Sequence, residues 1–190
     1  MDEQHFRLRG HPSEPSRGPD SGAEDYVESR GNGRALAYVQ HAVLQGDSVV
    51  VLTGEQGTGK SVLVDKLLRE TGPPNIVPAL LAAKRLDVAA LLLAVVKAFR
   101  APLSGHSVDE LRAGLQAFLA TLTASGRRAL LVVDDAHQLL PAALRELTEL
   151  ASLRSTRDAP LQIVLAGRPE LRSTLQRARL PKPCGPPSGT

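Results

Sequence analysis

Gly54-Glu55-Gln56-Gly57-Thr58-Gly59-Lys60-Ser61 puts three glycines, an ammonium and a hydroxyl into one short stretch. That combination suits the holding of a phosphate chain and matches the pattern G-x-x-x-x-G-K-[ST]. A triphosphate needs many donors that cost little to preorganise. Gly54, Gly57 and Gly59 let the backbone take conformations that side chains forbid, so successive N–H groups can turn inward. A helix starting near Lys60 adds unpaired N–H groups and the positive end of its dipole. Lys60 is then expected to reach the β- and γ-phosphates, and the Ser61 hydroxyl to hold Mg²⁺. The rival reading is a glycine-rich turn with an incidental lysine.

Two further positions carry chemistry. Asp134-Asp135 closes an apolar run, the Walker B arrangement, in which a strand delivers a carboxylate beside the phosphate loop. Asp134 is expected to complete the Mg²⁺ shell, directly or through water. Asp135 is the candidate group for orienting or deprotonating the attacking water. Arg168 follows a second apolar run and is a candidate γ-phosphate sensor through charge-assisted hydrogen bonds. Its bland alternative is an arginine that anchors a loop or pairs with Glu170. His137 reads as a packing or hydrogen-bonding residue at a helix entry. Arg172, Arg177 and Arg179 read as a solvated basic face, with a partner surface as the alternative.

These residues need elements to position them. Ser48–Thr53 is a short β-branched run bounded by Gly46-Asp47, which predicts a buried parallel strand ahead of the loop. Behind the loop, Val62–Glu70 is apolar at helical spacing and stopped by Gly72-Pro73-Pro74. A helix with Ala35, Leu36, Val39, Ala42 and Val43 on one face is expected from Arg34, ended by Gly46. Asn75–Leu81 reads as a strand, and Pro78 assigns it to an edge or an irregular position. Asp87 caps a helix to about Phe99, and Ser107-Val108-Asp109-Glu110 is a capping box opening another that Gly126 closes. Ala129–Asp135 is a strand, Pro141–Leu153 a helix, and Leu161–Gly167 a strand followed by a basic helix. Alternating strands and helices predict an α/β fold: a three-layer αβα sandwich with a mainly parallel sheet. Ligands of such sheets bind beyond the strand carboxyl ends, where the glycine loop, the acid pair and Arg168 all lie.

Composition bounds the rest. The 190 residues allow one domain, and 42% hydrophobic with 3% aromatic residues implies a core of Leu, Val and Ala. Residues 1–33 hold four Arg against seven acids, a net of −3. They are rich in Pro, Gly and Ser, and read as a mobile arm. Residues 34–180 are the folded core, and the Pro/Gly-rich 181–190 are expected to be a disordered tail. The overall charge of +3 is compatible with an anionic nucleotide and demands no nucleic acid. A single cysteine, Cys184, excludes an internal disulfide framework and a cysteine-rich metal site. The acidic start carries no secretory signal, and Ala79–Phe99 is broken by Lys84, Arg85 and Asp87, which rules it out as a membrane span. The expected location is the cytoplasm.

Three stretches in the right order carry a family resemblance. Val51–Ser61, Leu130–Leu139 and Leu161–Leu171 resemble the P-loop, the D-E-A-Q-x-L segment and the L-Q-I-V-L-x-G-Q-P-E-L segment of AAA+ ATPases of the general secretion pathway protein A type. The resemblance spans roughly Ala35 to Leu175. It implies ATP and Mg²⁺ as ligands and hydrolysis involving Lys60, Asp135 and Arg168. It also implies association with like subunits and with a membrane-associated secretion or export machine. Related modules help transposases select DNA targets.

The sequence departs from that pattern in three places. Asp135 stands where Glu is usual and is one methylene shorter, about 1.5 Å of reach, in a setting where ~1 Å can cost ~100-fold in rate. Slow hydrolysis is the expectation. Arg168 stands where Gln is common. After Leu175 a fifth core strand and a helical lid are expected in the family, whereas this chain turns to Pro and Gly, so the core reads as truncated after its fourth strand. That reading leaves the Ser48–Thr53 edge unpaired unless another segment covers it. The competing functions are a non-catalytic ATP-dependent switch binding DNA or a partner, a degenerate ATPase, and a small-molecule kinase, for which no acceptor motif is evident.

Overall fold

The computed structural model describes residues 30–70, 75–103, 105–152 and 160–177. Four strands, β1 (Val49–Thr53), β2 (Ile76–Ala82), β3 (Arg128–Asp134) and β4 (Leu161–Gly167), form one sheet in the order β1-β4-β3-β2. All three pairings are parallel. Six helices connect and cover them: α1 (Arg30–Gln45), α2 (Lys60–Glu70), α3 (Val88–Ala98), α4 (Val108–Ala124), α5 (Pro141–Ser152) and α6 (Glu170–Arg177).

The period-two alternation of side chains sorts the strands between two cores. Leu130, Val132, Val164, Val50 and Leu52 face α1 and α2, where they meet Val39, Val43, Leu63, Val64 and Leu67. Ala129, Leu131, Val133, Ile163, Leu165 and Val51 face the other way, toward Leu91, Leu115, Leu144, Leu147 and Leu171 of α3, α4, α5 and α6. A sheet covered on both faces needs strands that are apolar throughout, which is why β3 and β4 read as continuous runs. This is the expected three-layer arrangement. One buried polar side chain braces it: Gln162 of β4 donates from Nε2 to the carbonyls of Val43 (2.9 Å) and Asp47 (3.3 Å), tying the α1–β1 connection to the sheet.

Pro78 lies in β2, which pairs only with β3 and is an edge strand, as the missing N–H requires. Pro78, Leu80 and Ala82 are exposed on that edge. β1 is the opposite edge, and among the described residues no strand pairs with its outer side. Asp87 caps α3 by accepting the Ala90 N–H at 2.8 Å, and the Ser107–Glu110 capping box is formed at the start of α4.

Several expected boundaries move. α1 begins at Arg30, four residues before the expected Arg34, so the boundary placed after residue 33 falls inside a helix. Gly31 and Gly33 cost about 1 kcal/mol each in a helix and read as breakers, yet a first turn needs no apolar side chain to form. β3 ends at Asp134, not Asp135, because Asp135 turns into a left-handed conformation. The rest of the expected arm, residue Leu153, Arg179, Cys184 and the expected tail lie outside the described residues.

Candidate functional site

The sheet order brings the glycine loop together with the ends of β3 and β4. β1 and β4 are neighbours with Thr53 level with Gly167, and the Gly54 N–H continues their ladder by donating to the Gly167 carbonyl at 3.1 Å. The loop leaves β1 and the side chain of Arg168 leaves β4 from adjacent points on one edge of the sheet. β3 supplies the acids beside them.

The three loop glycines are required for two different reasons. Gly57 and Gly59 have φ of +80° and +79°, which L side chains rarely adopt. A Cβ on Gly54 would lie 2.8 Å from Thr58 Oγ1, so that position needs space. Thr58 Oγ1 donates to the Glu55 carbonyl at 2.8 Å and closes the loop. Gly59 accepts the Leu63 N–H at 2.9 Å, opening α2 directly under the loop. Lys60 Nζ is folded onto the loop itself and donates to the carbonyls of Gly54 (2.8 Å) and Glu55 (2.6 Å) and to Thr58 Oγ1 (3.3 Å). A phosphate oxygen can replace these neutral carbonyls as acceptors, because its negative charge adds Coulombic attraction to the ammonium. Ser61 is exposed beside it in the first turn of α2.

Across from the loop opens a cleft of about 520 Å³. Gln56, Gly57, Lys60 and Ser61 of the loop and helix start line it, with Asp135, His137, Gln138 and Arg168 from the ends of β3 and β4. Asp135 has φ 53° and ψ 33°, and its side chain is 54% exposed. Asp134 is half-buried and is not among the lining groups; its Oδ1 accepts the Asp135 N–H at 2.9 Å. Arg168 is tied to the glycine loop, as its loop-anchoring alternative expected, through Gln56. Its Nη2 donates to Gln56 Oε1 at 2.8 Å, and its main-chain N–H donates to His137 Nδ1 at 3.4 Å. With Nδ1 accepting, a neutral His137 carries its proton on Nε2. The same Nδ1 lies 3.9 Å from Asp135 Oδ1. Gly167 makes this crowding feasible, since a Cβ there would sit 3.2 Å from His137 N and 3.1 Å from Leu171 Cδ2.

All the singled-out residues of the loop, the acid pair and Arg168 therefore gather at one end of the sheet. His137 makes the kind of hydrogen bond expected at a helix entry, accepting from the Arg168 N–H, and it also lines the cleft. Gln56 was expected to bind the nucleotide as part of the loop, and its contact with Arg168 adds to that; Gln138 also lines the cleft and carries no sequence signal, since glutamine is not diagnostic at a helix entry. Among the described residues no group of three or more His, Cys, Asp and Glu is placed to hold a metal ion. A Mg²⁺ held here by Ser61 and Asp134 would need phosphate and water oxygens to complete its shell, the usual habit of this ion.

Residues 42–175 match the model of the AAA domain family. This chain belongs to the AAA domain family. Its AAA domain is 34% identical over 160 residues to General secretion pathway protein A of Aeromonas hydrophila, a match covering 82% of this chain and 28% of that protein. It is similar in fold to the Aeropyrum pernix ORC2 protein in its ADPNP-ADP complexes, with a TM-score of 0.61 at 17% identity, covering 82% of this chain and 46% of that one. Cdc6p of Pyrobaculum aerophilum gives a TM-score of 0.55 at 22% identity over 81% of this chain and 43% of its own. The chain thus spans under half the length of each of these three proteins. Family membership supports nucleotide binding. Among the described residues no helix is long and apolar enough to cross a membrane.

Proposed function

We propose that this AAA domain binds Mg-ATP in the cleft and hydrolyses it slowly, acting in the cytoplasm as a module of a larger assembly. The observation that carries the reading is the loop geometry: positive-φ glycines at 57 and 59 and a lysine parked on its own loop carbonyls at the head of α2. Phosphate oxygens replace those carbonyls as acceptors for Lys60, while the N–H groups of the loop and of the first turn of α2 donate to the phosphate chain. The Ser61 hydroxyl and the Asp134 carboxylate, directly or through water, are the protein groups that would hold Mg²⁺. That ion supplies charge neutralisation of the β- and γ-phosphates when bound.

Asp135 is the group that orients water on the γ-phosphate side, and Arg168 and Lys60 stabilise charge there. The short side chain of Asp135, carried on a left-handed turn, supports slow turnover. The relative that gives the assembly reading is the secretion pathway protein, and a secretion or export machine together with like subunits is the proposed setting. A second reading, a nucleotide-dependent binding switch without turnover, draws on the same short acid and its neighbour His137 at 3.9 Å.

Titration with Mg-ATP and a phosphate-release assay test both. The proposal expects binding in the wild type, loss of binding in Lys60→Ala, and loss of phosphate release with binding retained in Asp134→Ala. Binding without release in the wild type and in Asp135→Glu leaves the switch. No nucleotide binding at all overturns both readings.

A further inference from the structure

Arg168 is exposed, and a loose arginine of this kind spreads over many rotamers that binding would have to restrict. Here both of its ends are already held. The main-chain N–H donates to His137 Nδ1 (3.4 Å), and the carbonyl before it accepts from Gly54 (3.1 Å). At the far end, Nη2 donates to Gln56 Oε1 at 2.8 Å, a contact between residues 112 apart in sequence that both line the cleft. We propose that Gln56 is a positioning residue for Arg168, and that through Arg168 it sets the preference of the cleft for ATP over ADP. The inference rests on the reading that the cleft takes ATP.

The chemistry of the pair makes an amide the suitable residue. A guanidinium has five N–H donors in a rigid fork, so one bond to Gln56 leaves donors for a phosphate. The amide oxygen is neutral and holds the guanidinium less tightly than a phosphate oxygen does. Arg168 is therefore placed without being trapped. An apolar side chain at position 56 removes the hold, and a carboxylate at position 56 competes with the phosphate for the same donors. Asp135 and Arg168 line the same cleft, and on the ATP reading both act at the γ-phosphate. ADP lacks the group that Arg168 meets, so its affinity is set by the loop and Lys60 alone.

The test is the affinity of the full chain for Mg-ADP and for Mg-ADPNP, whose β–γ bridge resists hydrolysis, measured by calorimetric titration. Gln56→Leu and Gln56→Glu are each expected to leave ADP affinity near wild type and to lower the ADPNP-to-ADP preference by about tenfold, the scale of one hydrogen bond to a charged partner. Arg168→Ala is expected to lose the preference as well, and adding Gln56→Leu to it to change nothing further. Equal losses for both nucleotides in the Gln56 variants mean that Gln56 only shapes the loop, which overturns the inference. So does an unchanged preference, or a further loss when Gln56→Leu is added to Arg168→Ala. Wild-type protein that binds neither nucleotide overturns the ATP reading itself and this inference with it, whereas binding without the Gln56 effect overturns this inference alone.

Discussion

Asp135 has φ 53° and ψ 33°, a region that Asp and Asn tolerate better than other L residues apart from glycine, so the backbone favours the shorter acid here. The departure from the usual Glu is thereby explained by local geometry as much as by chemistry. A Glu at this position gains reach and carries left-handed strain of about 1 kcal/mol. Asp135→Glu is accordingly expected to raise phosphate release by about tenfold, since ~1 Å of misplacement costs ~100-fold and the longer side chain recovers part of it. The same variant should melt at a lower temperature than wild type, read by calorimetry. Asp135→Asn keeps the turn and the melting temperature and is expected to stop release while nucleotide binding persists. No gain in release from Asp135→Glu would show that reach is not what limits this site.

The helix ends and the helix-to-helix contacts carry their own predictions. Glu110 accepts from the N–H groups of Ser107 (3.0 Å) and His106 (3.1 Å) and from the Ser107 hydroxyl (2.7 Å). The Ser107 N–H is the chief cause that holds its carboxyl below the usual 4.5. A depressed folded-state value stabilises the fold above the unfolded-state value, and that contribution disappears as pH falls through the folded-state value. Melting temperatures followed from about pH 6 down to about pH 2 should fall less steeply in Glu110→Gln than in wild type; parallel profiles would sink this assignment.

Between α4 and α5, Arg112 donates from Nε and Nη2 to both oxygens of Glu146 (2.7 and 2.8 Å), a side chain only 6% exposed. Its other partner, Asp109 at 3.1 Å, is almost wholly in solvent. A buried carboxylate left unpaired is costly, whereas an exposed pair contributes little. Arg112→Ala should therefore lower the melting temperature by more than Asp109→Ala does. The reverse order would locate the stabilisation in the exposed pair.

For the molecule as a whole, the parallel order β1-β4-β3-β2 places every proposed nucleotide contact at one end of the sheet, and ligand binding there couples to global stability. A ligand at about 100 times its dissociation constant stabilises a fold by ~2.7 kcal/mol. Mg-ATP should raise the melting temperature of the wild type by several degrees and leave that of Lys60→Ala unchanged. An equal rise in both would mean that the nucleotide binds elsewhere.

Much of this was legible in the linear chain because it depends on local periodicity and on side-chain type. The runs Ala129–Val133 and Leu161–Gly167 mark strands buried on both faces. Asp87 and the Ser107–Glu110 pair mark helix starts, Pro78 marks an edge, and Gly54 to Ser61 mark the phosphate loop. Each signal rests on backbone sterics or hydrogen bonding within a few residues. The start of α1 at Arg30 leaves no such signal, since Gly31 and Gly33 are weak local helix formers and the first turn carries no apolar periodicity. What only the tertiary structure decided lies across the sheet. Strand order puts β4 between β1 and β3, and those two adjacencies bring Arg168 to Gln56 on one side and to His137 on the other. Residues 112 apart in sequence leave no periodic trace of a hydrogen bond; it exists because parallel pairing aligns the ends of two strands and a glycine at 167 leaves room for the turn beside it.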